Sequence, residues 1–108
     1  MHILLALSGG DKHGYAIMKE VDALTRGSMT MGPGTLYGTV KRLLKAGLIE
    51  ETEERPDPQF DDERRRYYRL TGFGARVLDL EIARMEQLAN VARGRRALAS
   101  HQTELERT

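Results

Sequence analysis

The segment Gly32-Pro33-Gly34-Thr35-Leu36-Tyr37-Gly38-Thr39-Val40-Lys41-Arg42-Leu43-Leu44-Lys45-Ala46-Gly47 constrains this chain more than any other. Proline is accepted in a first helical turn, whose amides have no intrahelical acceptor, and glycine after the last turn is a stop signal. Between these signals Leu36, Val40, Leu43 and Leu44 recur at i, i+4, i+7 and i+8 and form one apolar stripe. The spacing predicts a helix over about 34–46 with that stripe on a core and the other face in water.

What surrounds this helix narrows the fold. Residues 3–8 read as a short first helix ended by Ser8, Gly9, Gly10 and Asp11, a turn-forming cluster. Tyr15, Ile17, Met18, Val21 and Leu24 then recur at helical spacing, and Arg26-Gly27-Ser28 breaks that second helix. After Gly47 the period changes. Leu48–Glu53 and Arg66–Thr71 are short β-like runs, and Pro56, Pro58, Asp61, Asp62 and Glu63 lie between them, so a hairpin with a long connection is expected. Two helices joined by a short glycine-containing turn and followed by a hairpin form a winged helix-turn-helix, which places the second helix of the pair in the major groove of DNA.

Thr71 is the expected N-cap of a final helix whose apolar stripe comprises Val77, Leu78, Ile82, Met85, Leu88, Ala89 and Ala92. Gly94-Arg95-Arg96 is expected to weaken it, with a polar tail from Ser100 to Thr108. The fold expected is therefore mostly α with a small β-hairpin: a winged helix-turn-helix over 1–73 and a C-terminal dimerisation helix and tail over 74–108. Leu78, Ile82, Met85, Ala89 and Ala92 have few partners left in the chain, and a second copy is the expected cover.

Charge is unevenly divided. Residues 1–46 carry a net +3, residues 47–63 carry −7, residues 64–76 carry +5, and the remainder is neutral, within a total of +1. Two basic segments thus flank an acidic one. The face of the third helix opposite its apolar stripe presents Gly38, Lys41, Arg42 and Lys45, with Thr35 and Tyr37 at its flanks. Arg42 can fork onto guanine, Lys41 and Lys45 can neutralise phosphates, and the hydroxyls of Thr35 and Tyr37 can donate to phosphate oxygens. Gly38 has no side chain to hold the helix off the groove. An ordinary solvated face is the competing reading of those charges, and the helix-turn-helix context outweighs it. Arg64, Arg65 and Arg66 either reach DNA beside the third helix or neutralise Asp61, Asp62 and Glu63 next to them.

Other classes fit less well. With no cysteine there is no disulfide, thiolate metal site or cysteine nucleophile, in keeping with a reducing cytoplasm. The run Ile3–Leu7 is far short of the roughly 20 residues that span a bilayer, so no signal peptide or membrane segment is read. No Gly-Lys-Ser/Thr phosphate loop follows Gly34, no nucleophile–base pair is suggested, and no cofactor is expected. His13 reads as a cap or turn residue, since no second ligand stands at metal spacing. Among the tyrosines at 15, 67 and 68, strand alternation pairs Tyr68 with Leu70 and Tyr67 with Arg69, and Tyr68 is expected in the core. Gly72 and Gly74 are expected to permit close packing where the last helix begins. The rival from another class is a winged helix that binds protein through the acidic segment 50–63 and leaves DNA alone.

Three blocks, HGYAIMKE at 13–20, GPGTLYGTVKRLLKAGLIE at 32–50 and RRRYYRLTGFG at 64–74, resemble the PadR family of bacterial transcription regulators in order and separation. The match covers roughly residues 3–80. The resemblance implies a winged-helix repressor that dimerises through its C-terminal helix and binds an inverted-repeat operator, often releasing it when a small aromatic or hydrophobic compound binds. It carries Thr35, Tyr37 and Lys41 over as recognition-helix contacts, with Leu36, Val40, Leu43, Leu48 and Ile49 as the core beneath. At its start the chain departs from the pattern, since the family has several more residues before Ile3.

Overall fold

The structure is a computed structural model that describes residues 1–52 and 66–107, with side chains described as far as His101. The chain divides into two compact units, Met1–Leu78 and Asp79–Thr108. Its elements are α1 (His2–Leu7), β1 (Lys12–His13), α2 (Gly14–Leu24), α3 (Pro33–Lys45), β2 (Ile49–Thr52), β3 (Tyr67–Leu70) and α4 (Gly72–Arg107).

Local chemistry explains where the helices start and stop. His13 is the N-cap of α2: its Nδ1 accepts the Ala16 N–H at 3.2 Å and satisfies one donor that the helix itself cannot. Helix α2 ends in a left-handed turn, with φ of 51° at Arg26 and 76° at Gly27. There the Gly27 N–H donates to the Asp22 carbonyl at 2.8 Å and the Arg26 N–H to that of Ala23 at 3.2 Å. Helix α3 closes in the same way. Gly47 has φ of 76°, the Leu48 N–H donates to the Leu43 carbonyl at 3.0 Å and the Gly47 N–H to that of Leu44 at 3.1 Å. These two bonds are the Schellman pair, and they need a left-handed residue that glycine supplies without steric cost.

The core of the first unit is built by α1 (Ile3, Leu4, Ala6, Leu7), α2 (Ile17, Val21), α3 (Leu36, Val40) and the sheet (Ile49, Tyr67, Tyr68), with Leu78 from α4. The stripe expected on α3 is observed, graded from the fully covered Leu36 and Val40 to the half-buried Leu43 and Leu44. Leu48, expected in the core with Ile49, is half-buried too.

Two features differ from the expected hairpin. The sheet has three antiparallel strands in the order β1-β3-β2, because Lys12 and His13 pair with Tyr68 and Tyr67. On its other side β3 pairs with β2, with Ile49 opposite Leu70 and Thr52 opposite Tyr67. β3 is therefore central, and that explains the second difference: Tyr67 is buried as well as Tyr68. The Tyr67 ring stands edge-on to His13, with centroids 5.3 Å apart.

Helix α4 starts as expected and does not weaken where expected. The Gly74 N–H donates to the Thr71 Oγ1 at 2.9 Å, which makes Thr71 the N-cap. The Thr71 hydroxyl in turn lies 2.7 Å from the Gly47 carbonyl and 3.1 Å from that of Leu48, so the cap also ties α4 to the closing turn of α3. Only Gly74 of the two early glycines is needed for packing. A Cβ there would overlap the Leu48 carbonyl oxygen and lie 2.9 Å from its carbon, whereas one at Gly72 would meet nothing nearer than Arg76 Nη1 at 3.9 Å. The helix passes through Gly94-Arg95-Arg96 without a break. A single interior glycine costs about 1 kcal/mol relative to alanine, and the good helix formers after it (Arg95, Arg96, Ala97, Leu98, Ala99) outweigh that.

Within the second unit, Glu81 and Arg84 form an i,i+3 ion pair at 2.9 Å, and Arg93 donates to Asn90 at 3.1 Å. The hydrogen bond and charge of Arg84 hold the Glu81 carboxyl below its usual range. Among the described residues no helix is long and apolar enough to cross a membrane.

Candidate nucleic-acid interface

The outer face of α3 follows from how the helix is anchored. Gly32 caps its start in extended conformation and Pro33 occupies the first turn. With Leu36 and Val40 turned into the core, helical geometry turns Thr35, Tyr37, Gly38, Lys41, Arg42 and Lys45 outward, and all six are exposed. No atom lies within 4 Å of where a Cβ on Gly38 would stand, so this position is an open notch in the middle of the face.

The face has internal order that the sequence did not reveal. The Arg42 Nη2 donates to Thr39 Oγ1 at 3.1 Å, and Thr39 Oγ1 donates to the Thr35 carbonyl at 2.9 Å. Thr39 thus orients the guanidinium, a role that its place on the half-buried side of the helix does not suggest. Its only signal in the sequence is the i,i+3 spacing to Arg42. Arg42 and Lys45 also lie in the last turn, where cations are favoured by the helix dipole.

Tyr37 is 52% exposed, and its hydroxyl end lies against Gly14, the first residue of α2. The buried Tyr68 phenol is pushed above its usual pKa, first by burial and then by the charges of Glu51 and Tyr37, with Arg66 acting in the opposite direction.

Of the three wing arginines, Arg66 is placed just before β3, where it pairs with Glu51 at 3.4 Å. Its partner is thus a strand carboxylate. A pair this exposed contributes little stability, about 0–1 kcal/mol. Arg69 pairs across the ladder with Glu50 at 2.8 Å. Arg64 and Arg65, with Asp61, Asp62 and Glu63, lie outside the described residues.

The residues expected at a dimer seam fall in two groups. Leu78 is 4% exposed and serves the chain's own core, so it has almost no surface left for a partner. Ile82 and Ala89 are half-buried, and Met85 and Ala92 are exposed. Leu80, Leu88, Val91 and Leu98 add further exposed apolar surface to α4.

Comparison with known proteins decides the family. The model of the transcriptional regulator PadR-like family matches residues 3–80, most of the chain. This protein belongs to the PadR-like family. That is a family of transcription regulators and not of enzymes. The chain is 34% identical over 94 residues to the transcriptional regulator Rv3488 of Mycobacterium tuberculosis, a match covering 87% of this chain and 81% of that one. Several other curated relatives are much longer, and the matched region is about a quarter of their length. Among solved structures, a transcriptional regulator from Clostridium thermocellum superposes with a TM-score of 0.69 at 30% identity, covering 83% of this chain and 82% of that one. Bacillus subtilis PadR, solved in complex with operator DNA, shares the fold with a TM-score of 0.61 at 23% identity, over 75% of this chain and 44% of that one.

Proposed function

We propose that this PadR-like regulator is a cytoplasmic homodimer that represses transcription from an inverted-repeat operator and is released from it by a small aromatic or hydrophobic effector. The observation that carries the DNA-binding part is the outer face of α3, where Thr35, Tyr37, Lys41, Arg42 and Lys45 surround the open notch at Gly38. Lys41 and Lys45 serve phosphates, and Arg42, steadied by Thr39, serves a base edge. Arg64, Arg65 and Arg66 would add backbone contacts from the wing. In this reading residues 1–73 form the DNA-binding domain and 74–108 the dimerisation helix, with Ile82, Met85, Ala89 and Ala92 on the seam. Two reading helices related by a twofold axis would stand about one DNA turn apart, roughly 34 Å. The effector rests on family resemblance alone.

The test is duplex binding by the full chain, with preferred sequences first selected from random DNA. Lys45→Ala should weaken every duplex about equally and reduce the salt dependence, while Arg42→Ala should also relax base preference, by about 1–3 kcal/mol at one position. Unchanged affinity in both variants would refute the assignment of the face. Sedimentation as a monomer at micromolar concentration would refute the dimer.

A further inference from the structure

We infer that Gly14 is a positioning residue for DNA reading, because the space left by its missing Cβ seats the Tyr37 hydroxyl and so fixes where Tyr37 lies on the outer face of α3. The inference rests on the DNA-binding reading given above. A Cβ built on Gly14 would stand 2.7 Å from Tyr37 Oη, 3.1 Å from its Cζ and 3.2 Å from Leu36 Cδ2. Two consecutive residues of α3 therefore converge on one residue of α2.

The backbone does not explain the glycine. Gly14 is not among the glycines with positive φ, and at the first position of a helix an alanine would be the better helix former. Space explains it. Gly14 is buried, and the atoms facing it are side-chain atoms of the next helix.

What an added methyl group would do follows from the difference between its two neighbours. Leu36 is 0% exposed, and its Cδ2, at 3.2 Å, would have to give by only a few tenths of an ångström, a small cost to the core. Tyr37 is half exposed, and its hydroxyl is the far end of a side chain that can swing outward. The closest contacts of Gly14→Ala, those with Tyr37, are therefore relieved by moving Tyr37, and the larger part of the cost appears on the DNA face. In the sequence, HGY at 13–15 and TLY at 35–37 are separate signals, a helix start and a flank of the reading helix. The structure makes them one contact.

The experiment is a double-mutant cycle in the full chain. Gly14→Ala, Tyr37→Leu and the double variant are compared with the parent for duplex affinity at low salt, where phosphate contacts keep weak variants measurable, and for melting temperature. Gly14→Ala should melt within about 8 °C of the parent, the residual cost at Leu36. It should bind about five- to tenfold more weakly, the equivalent of one hydrogen bond. In the Tyr37→Leu background, where the shorter side chain vacates the seat, Gly14→Ala should change affinity less than about twofold. An equal loss in both backgrounds, or no loss in either, overturns the inference while leaving the DNA-binding reading intact. A parent chain that binds no duplex overturns both. Should Gly14→Ala fail to fold, the double variant decides: folding and binding like Tyr37→Leu supports the seat, and failure to fold refutes it.

Discussion

Gly74→Ala is the perturbation whose consequence the structure fixes best. The new methyl group would overlap the Leu48 carbonyl oxygen and lie 2.9 Å from its carbon and 3.3 Å from the Leu48 Cα. All three are backbone atoms, so no rotamer change relieves the overlap, and either β2 or the first turn of α4 must move. Such overpacking costs about 1–3 kcal/mol. The movement also strains the bonds made at that carbonyl, from the Thr71 N–H at 3.2 Å and the Thr71 hydroxyl at 3.1 Å, and the cap from the Gly74 N–H. Losing a cap adds about 1 kcal/mol. The better helix propensity of alanine returns at most about 1 kcal/mol.

The net expectation is a destabilisation of about 1–3 kcal/mol, a large share of the roughly 5–15 kcal/mol that holds a domain of this size. That corresponds to a fall in Tm of about 5–20 °C. Helical circular dichroism on heating, at one fixed protein concentration, measures it. Gly72→Ala is the matched control, since its methyl group would meet only Arg76 Nη1 at 3.9 Å, and it should melt within about 2 °C of the parent. Two results would refute the reasoning. One is a Gly74→Ala protein that melts with the parent. The other is an equal loss in both variants, which would trace the effect to the helix start in general and not to the Leu48 contact.

Two further outcomes are expected. Thr71→Val keeps the shape of the side chain but loses both the cap to Gly74 and the bond to the end of α3, and should cost about 1–2 kcal/mol, with Thr71→Ser restoring most of it; the pair is compared by denaturant titration, and a valine variant with the parent's midpoint would be the contrary result. Tyr68 has its phenol pKa raised in the fold, so its contribution is complete below about pH 10 and is lost as pH rises through the raised value; Tyr68→Phe should therefore flatten the alkaline decline in Tm above about pH 10, and an unchanged slope would assign that decline to other groups.

The parts of the fold that the sequence made legible are those governed by neighbours along the chain. The reading helix is the clearest. Pro33 opens it, Gly47 closes it with a left-handed turn, and Leu36 and Val40 orient it, so its exposed face could be assigned from spacing alone. The caps His13 and Thr71 were legible for the same reason. What was not legible depends on residues far away in sequence. Strand β1 is two residues long, too short for any alternation, and exists because Lys12 and His13 meet β3 more than fifty residues later. The burial of Tyr67 depends on that pairing. Leu78 fits the amphipathic stripe of α4 as well as Ile82 does, and nothing in periodicity separates a residue that serves its own core from one left outside. At Gly94 the good helix formers on either side outweigh the breaker, a balance set by the whole segment and not by the glycine alone.

The two buried glycines, 14 and 74, carry the same pattern in the sequence and opposite consequences in the structure. Each stands in the first turn of a helix, and at each a neighbouring atom presses into the place a Cβ would take. At Gly74 the facing atoms are backbone, which cannot yield, so the substitution is expected to appear as lost stability. At Gly14 the nearest atom is the end of a half-exposed tyrosine, which can yield, so the substitution is expected to appear as altered DNA reading with the fold retained. The Gly74 contact nonetheless bears on DNA as well, because Leu48 is the residue whose N–H closes α3 onto Leu43. Well below its melting temperature, Gly74→Ala should therefore still bind duplex DNA more weakly than Gly72→Ala. If folded Gly74→Ala bound as well as the control, the turn from α3 into β2 would be absorbing the strain, and the position of the reading helix would not depend on where α4 begins.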